Sequence, residues 1–139
     1  MRYLLDTNAV SEPRRLPPDP GYLGWLSGQE PGDLAISALT LGELKRGVMS
    51  LAPGRRRVEL DAWLSEGLSS FRDRILPVDS AVASAWADVW VLHKSLGRAV
   101  GVIDELIAAT ALAHGLIVVT RNARHFEASG CDFLVPWSD

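Results

Sequence analysis

The sequence predicts an α/β fold in which a parallel sheet is covered by helices on both faces. Two observations carry that expectation. Short apolar stretches of strand length recur along the chain, and stretches with a helical apolar stripe alternate with them. Breaker-rich loops, "RRLPPDPG" (14–21) and "APGRRR" (52–57), punctuate the series. The 139 residues are 47% hydrophobic and 22% charged, which suits a single domain spanning residues 1–139 with an ordinary core.

The first predicted strand is Tyr3, Leu4 and Leu5, ending on a carboxylate, Asp6. Later strand candidates are "DLAIS" (33–37), "RILPV" (74–78), "LIVVT" (116–120) and "DFLV" (132–135). The stretch 40–51 carries Leu41, Leu44, Val48 and Leu51, spaced as one helix face. Leu60, Leu64, Leu68 and Phe71 mark a helix over 57–71, and Val82, Trp86, Val89 and Leu96 another over 80–96, with Asp79 as its N-cap. A last helix over 102–114 has Ile103, Leu106, Ile107 and Thr110 on its stripe and Gly115 as its C-cap residue.

Bulk properties exclude several classes. No apolar stretch approaches the roughly 18–20 residues that span a bilayer, and Asp6 interrupts the N-terminal run too early for a signal peptide. Cys131 is the single cysteine, so neither an intramolecular disulfide nor a thiolate metal site is expected. A soluble, cytoplasmic protein with no membrane association is the expectation. The net charge of −3 does not advertise nucleic-acid binding. Nucleotide-binding glycine motifs are missing. A dehalogenase-like phosphatase would need a second Asp where this chain has Asn8.

Three acids stand near predicted strand ends or helix starts: Asp6, Glu43 and Asp104. Each has an architectural use. Asp6 suits an N-cap for a short helix beginning near Asn8. Thr40 and Glu43 have capping-box spacing, and Asp104 in a first turn is favoured by the helix dipole. A doubly wound sheet would also gather all three at one edge, beyond the carboxyl ends of the strands. Three converging carboxylates repel unless a cation joins them. Oxygen ligands alone suit Mg2+ or Mn2+ rather than Zn2+.

The segments "LLDTNAVSE", "ISALTLGELKRGV", "GVIDELIAATALAHG" and "VVTRN" resemble the successive motifs of PIN-domain ribonucleases. They are most similar to the VapC toxins of bacterial toxin–antitoxin pairs, and to the FitB-like branch in particular. That resemblance runs over nearly the whole chain. It implies a PIN-domain-like α/β/α sandwich with a five-stranded parallel sheet, a Mg2+ or Mn2+ cofactor and cleavage of single-stranded RNA. It further implies a homodimer held in check by a cognate VapB-like antitoxin.

Matched by position, the resemblance makes Asp6, Glu43 and Asp104 the catalytic and metal-binding acids. Asn8 matches the small polar residue that supports the first acid, and Thr120 can bond a carboxylate or water. At the family's fourth acidic position this chain has Asn122, and His125 stands at a further position often acidic in relatives. The amide leaves open one metal ion or two. It also leaves open a non-catalytic PIN-fold module that binds RNA or protein, or a plain turn-capping role for Asn122.

Arg121 and Arg124 are candidates for RNA phosphate, and Arg55, Arg56 and Arg57 are conceivable ones at a helix start. Trp86 and Trp90 share a helix face and read as core or dimer packing. His93 and His114 have no second ligand at suitable spacing, and Cys131 reads as a small buried hydrophobe.

Overall fold

The computed structural model describes residues 1–138. Its first strand, β1 (Tyr3–Leu5), leads into the short helix α1 (Thr7–Ser11) and a 3-10 turn, Glu12–Arg14. Helix α2 (Pro20–Ser27) follows, then β2 (Leu34–Ser37), α3 (Ala38–Met49), α4 (Arg55–Phe71) and β3 (Ile75–Leu76). The second half is α5 (Ser80–Ser95), α6 (Val102–His114), β4 (Ile117–Val119), a 3-10 turn at Ala123–His125 and β5 (Phe133–Leu134). All five expected strands and the four expected long helices are present. Helix α2 is the addition, because its first turn starts inside the Pro-rich stretch whose composition reads as a loop. Pro20 is tolerated there as a first-turn residue, and Asp19 caps the helix by accepting from the Tyr22 amide at 2.9 Å.

The strands form one parallel sheet in the order β3-β2-β1-β4-β5. Central β1 pairs Leu4 with Ala35 of β2 and with Val118 of β4. Side chains alternate between two cores, as the pleat requires. Leu4, Ala35 and Val118 face a cluster with Ile107, Ala108 and Ala111 of α6. Tyr3, Leu5, Leu34 and Ile36 face the opposite cluster with Ala9, Tyr22 and Trp137, edged by Leu68 and Phe71. Helices therefore cover both faces, and α5 packs behind α6 through Val82, Val89 and Ala109.

Several end signals stand as read. Asp79 accepts from the Val82 amide at 3.0 Å and caps α5. Gly115 ends α6 in the left-handed region at φ 65°, where a side chain would be strained. One expectation is corrected: Thr40 is not the cap of α3. Ser37 holds that place, accepting from the Leu39 amide, while Thr40 lies buried within the helix with its hydroxyl unpartnered. No capping box forms, and Glu43 lies beyond the first turn with its side chain free of that duty. Of the tryptophans, Trp86 packs against the α5 cluster, but Trp90 is 45% exposed, with the Lys94 ammonium over its ring. Among the described residues no helix is long and apolar enough to cross a membrane.

Candidate functional site

Strand order reverses at β1, whose neighbours β2 and β4 are reached by opposite windings of the chain. A crevice opens at the carboxyl ends of such strands. Asp6 stands at that end of β1, its amide still bonded to the Val119 carbonyl at 3.1 Å. Its side chain is 6% exposed and caps α1 by accepting from the Ala9 amide at 2.9 Å. The capping reading therefore holds for Asp6, at the same edge where the functional reading requires an acid. Thr120, at the matching end of β4, bonds the Asp6 carboxylate through its hydroxyl and accepts from the Asn122 amide at 2.9 Å.

Glu43 reaches the same edge from α3, where it accepts from the Thr7 hydroxyl at 2.6 Å. Asp104 comes from the first turn of α6, and the Nδ1 atom of His125 lies 2.7 Å from its carboxylate. Asp6 feels the charge of Asp104, and Asp104 feels that of Glu43. Sheet topology thus places the three acids at one edge, each within electrostatic reach of another. Among the described residues no group of three or more acid, His or Cys side chains forms a ready metal cage, so the arrangement is open.

Burial pushes the Asp6 carboxyl above its ordinary range, and the Asp104 charge pushes it further in the same direction. Burial likewise raises Asp104, with Glu43 adding to it, although the His125 contact opposes both. No Lys or Arg pairs with any of the three acids among the described residues. Hard oxygen donors of this kind, with Asp6 and Asp104 desolvated and each beside another acid, are chemically suited to a divalent cation.

The supporting candidates divide. Asn8 is exposed, and it supports Asp6 through its backbone amide rather than its side chain. Asn122 is exposed too and opens the turn at Ala123–His125 without a side-chain cap bond, so the turn-capping reading gains no contact. Arg124 is exposed and gives its carbonyl to Arg98, whereas Arg121 lies 3.6 Å from the buried Glu12 carboxylate. His93 pairs with Glu105 in the α5–α6 core at 2.7 Å, and His114 is exposed. Cys131 is buried beside the Ser129 hydroxyl, which fits its reading as a small core residue.

Sequence reasoning missed Thr7 as the partner of Glu43, His125 as the partner of Asp104, and Glu12 altogether. Only Glu12 carried a signal: an acid directly after an apolar helical turn, followed by Pro13 and two arginines, Arg14 and Arg15.

An α/β sheet edge carrying three acids with no lysine or arginine partner is the setting in which the chain's family becomes plain. The family described as PIN domain matches residues 3–130, and the chain belongs to it. It is 38% identical over 135 residues to the VapC ribonuclease Y4jK of Sinorhizobium fredii, covering 96% of each chain. It is also 38% identical to toxin FitB of Neisseria gonorrhoeae over 98% of this chain and 99% of that one. The crystal structure of FitAcB from Neisseria gonorrhoeae superposes with a TM-score of 0.93 at 37% identity, over 99% of both chains.

Proposed function

We propose that this chain is a metal-dependent endoribonuclease, the toxin of a bacterial toxin–antitoxin pair. The observation that carries the reading is the meeting of Asp6, Glu43 and Asp104 at the switch point without a lysine or arginine to neutralise them. These three residues would hold Mg2+, with Mn2+ as a substitute. A bound ion of this kind supplies positive charge against phosphodiester oxygens and acidifies water.

The remaining work belongs to the chain itself. The Thr120 hydroxyl and the Ala9 amide fix the orientation of Asp6. Thr7 fixes Glu43, and His125 holds one oxygen of Asp104. Preset acids spare the site reorganisation as charge develops on the phosphate. Asn122 adds no charge, so three carboxylates come near to balancing one divalent cation. One tight ion in the free protein follows, with a second entering only alongside RNA.

Partners follow from the same reading: single-stranded RNA as substrate, a VapB-like antitoxin, and a second copy of the chain in the cytoplasm. Trp90, Val91, Leu92 and Leu96 of the α5 end and Leu112 of α6 leave apolar surface exposed, in keeping with self-association.

The second reading, a non-catalytic PIN module, is favoured by Asn122 alone. Incubation of labelled single-stranded RNA with the protein in Mg2+, Mn2+ or EDTA decides between them. Cleavage in either metal, abolished by EDTA and by Asp104→Asn, is the expected result. Intact RNA under all conditions would leave the binding-module reading.

A further inference from the structure

Beside the acids lies a second, differently built site. A cavity of about 340 Å3 is lined by Asn8, Ser11, Glu12, Arg15 and Arg121. Its walls continue the two segments that position Asp6: Asn8 and Ser11 belong to α1, which Asp6 caps, and Arg121 follows Thr120. At its base Glu12 is 2% exposed. One carboxylate oxygen of Glu12 accepts from the Trp137 indole N–H at 2.6 Å, and the other from the Asp19 amide at 3.1 Å.

Glu12 therefore has its hydrogen bonds from neutral donors. The guanidiniums of Arg121 and Arg15 approach the same oxygen as Trp137 only to 3.6 and 3.8 Å. Both distances lie outside hydrogen-bonding range, so the buried charge attracts both arginines without consuming their N–H donors. Each arginine is about half exposed at the cavity mouth. Arg121 also feels Asp19, but that carboxylate is engaged by the Tyr22 amide and by Ser138. Two forked donors beside hydroxyl and amide side chains have the chemistry of a phosphate site.

We propose that Arg15 and Arg121, with Asn8 and Ser11, bind a non-scissile phosphate of the RNA strand next to the cleavage site. Glu12 is their positioning residue. The proposal rests on the ribonuclease reading and deepens it. Trp137 connects the C-terminal segment to this subsite, because its indole holds Glu12 while its ring stacks on Tyr22 at 4.4 Å.

The test is steady-state cleavage of a fluorogenic single-stranded RNA across a range of salt concentrations. The protein carries Arg15→Gln together with Arg121→Gln, or Trp137→Phe, with Arg2→Gln as a control. Arg2 precedes β1 at the opposite end of the sheet. The double variant should raise KM about tenfold, the loss of charge-assisted hydrogen bonds, while kcat stays within about twofold. Its binding should lose about 0.7 of the log–log salt slope, one phosphate on a single strand. Trp137→Phe keeps the stack on Tyr22 but removes the donor to Glu12, and should raise KM by a smaller factor at unchanged kcat. An unaltered KM and salt slope in the double variant overturns the subsite, as does an equal loss in Arg2→Gln. Absence of cleavage by the wild-type chain overturns instead the ribonuclease reading beneath it.

Discussion

Asp6 and Glu12 are buried carboxylates at either end of the same short helical turn, and the structure treats them in opposite ways. Glu12 has a neutral donor on each oxygen and two guanidiniums nearby. Asp6 is bonded by the Ala9 amide and the Thr120 hydroxyl, but its charged neighbour is another acid, Asp104. Burial of an ion is costly unless a counter-charge lies within reach. Glu12 finds its counter-charge within the chain, whereas Asp6 does not. The contrast separates a carboxylate used to organise structure from one held ready for a cation from outside.

The largest effect that would break this contrast is on catalysis. Asp104→Asn and Asp6→Asn should each lower RNA cleavage by about a thousandfold or more, since each removes part of the charge that holds the ion. Circular dichroism and the unfolding midpoint should show a folded protein in both cases. Glu43→Gln should behave alike. A folded Asp104→Asn protein that keeps most of its activity would remove Asp104 from the site.

The next effect is on stability, and it falls on the other carboxylate. Glu12→Ala strands the buried Trp137 N–H and the Asp19 amide and should cost about 2–4 kcal/mol. Urea unfolding measures it. Asp6→Asn, by contrast, removes an uncompensated charge and should leave the metal-free protein as stable as wild type or more so. If both variants lose equal stability, the distinction between the two acids fails.

A third prediction concerns pH. Asp6 and Asp104 have folded-state values above their unfolded ones, so the metal-free folded protein binds protons more readily than the unfolded chain. That contribution to stability is present at low pH and is lost as pH rises through the raised folded values. The melting temperature without metal should therefore fall across that window, and Mg2+ should restore it by binding the ionised acids. An unchanged dependence in Asp6→Asn would assign the effect to other groups.

The smallest effect sharpens the contrast at its edge. Asn122→Asp adds one negative charge near the Thr120 turn and should tighten Mg2+ binding several-fold, lowering the Mg2+ concentration needed for cleavage. Calorimetry with identical affinity and stoichiometry in both proteins would place Asn122 outside the metal site.

Much of the fold was legible because its signals are local. Apolar strand runs, helical stripes and the end residues Asp79 and Gly115 each act over a few positions. Helix α2 escaped because its start is written in prolines, which read equally as a loop, and its partner Ser138 lies at the far end of the chain. Asp6 and Asp104 were legible because each stands at an element's edge, whereas Glu43, inside α3, was legible through its motif. Their supports were not, since Thr7 meets Glu43 and His125 meets Asp104 only after the sheet has formed. The T-x-x-E spacing misled for a related reason. Ser37, at the end of β2, took the cap first and set the helix start ahead of Thr40.

The most direct test of the account is a calorimetric titration of Mn2+ into the metal-free protein and its Asp104→Asn variant at neutral pH. One tight ion per chain in wild type, lost or greatly weakened in the variant, is the predicted result. No binding in wild type, or equal binding in both, would contradict the claim that Asp6, Glu43 and Asp104 are a metal site.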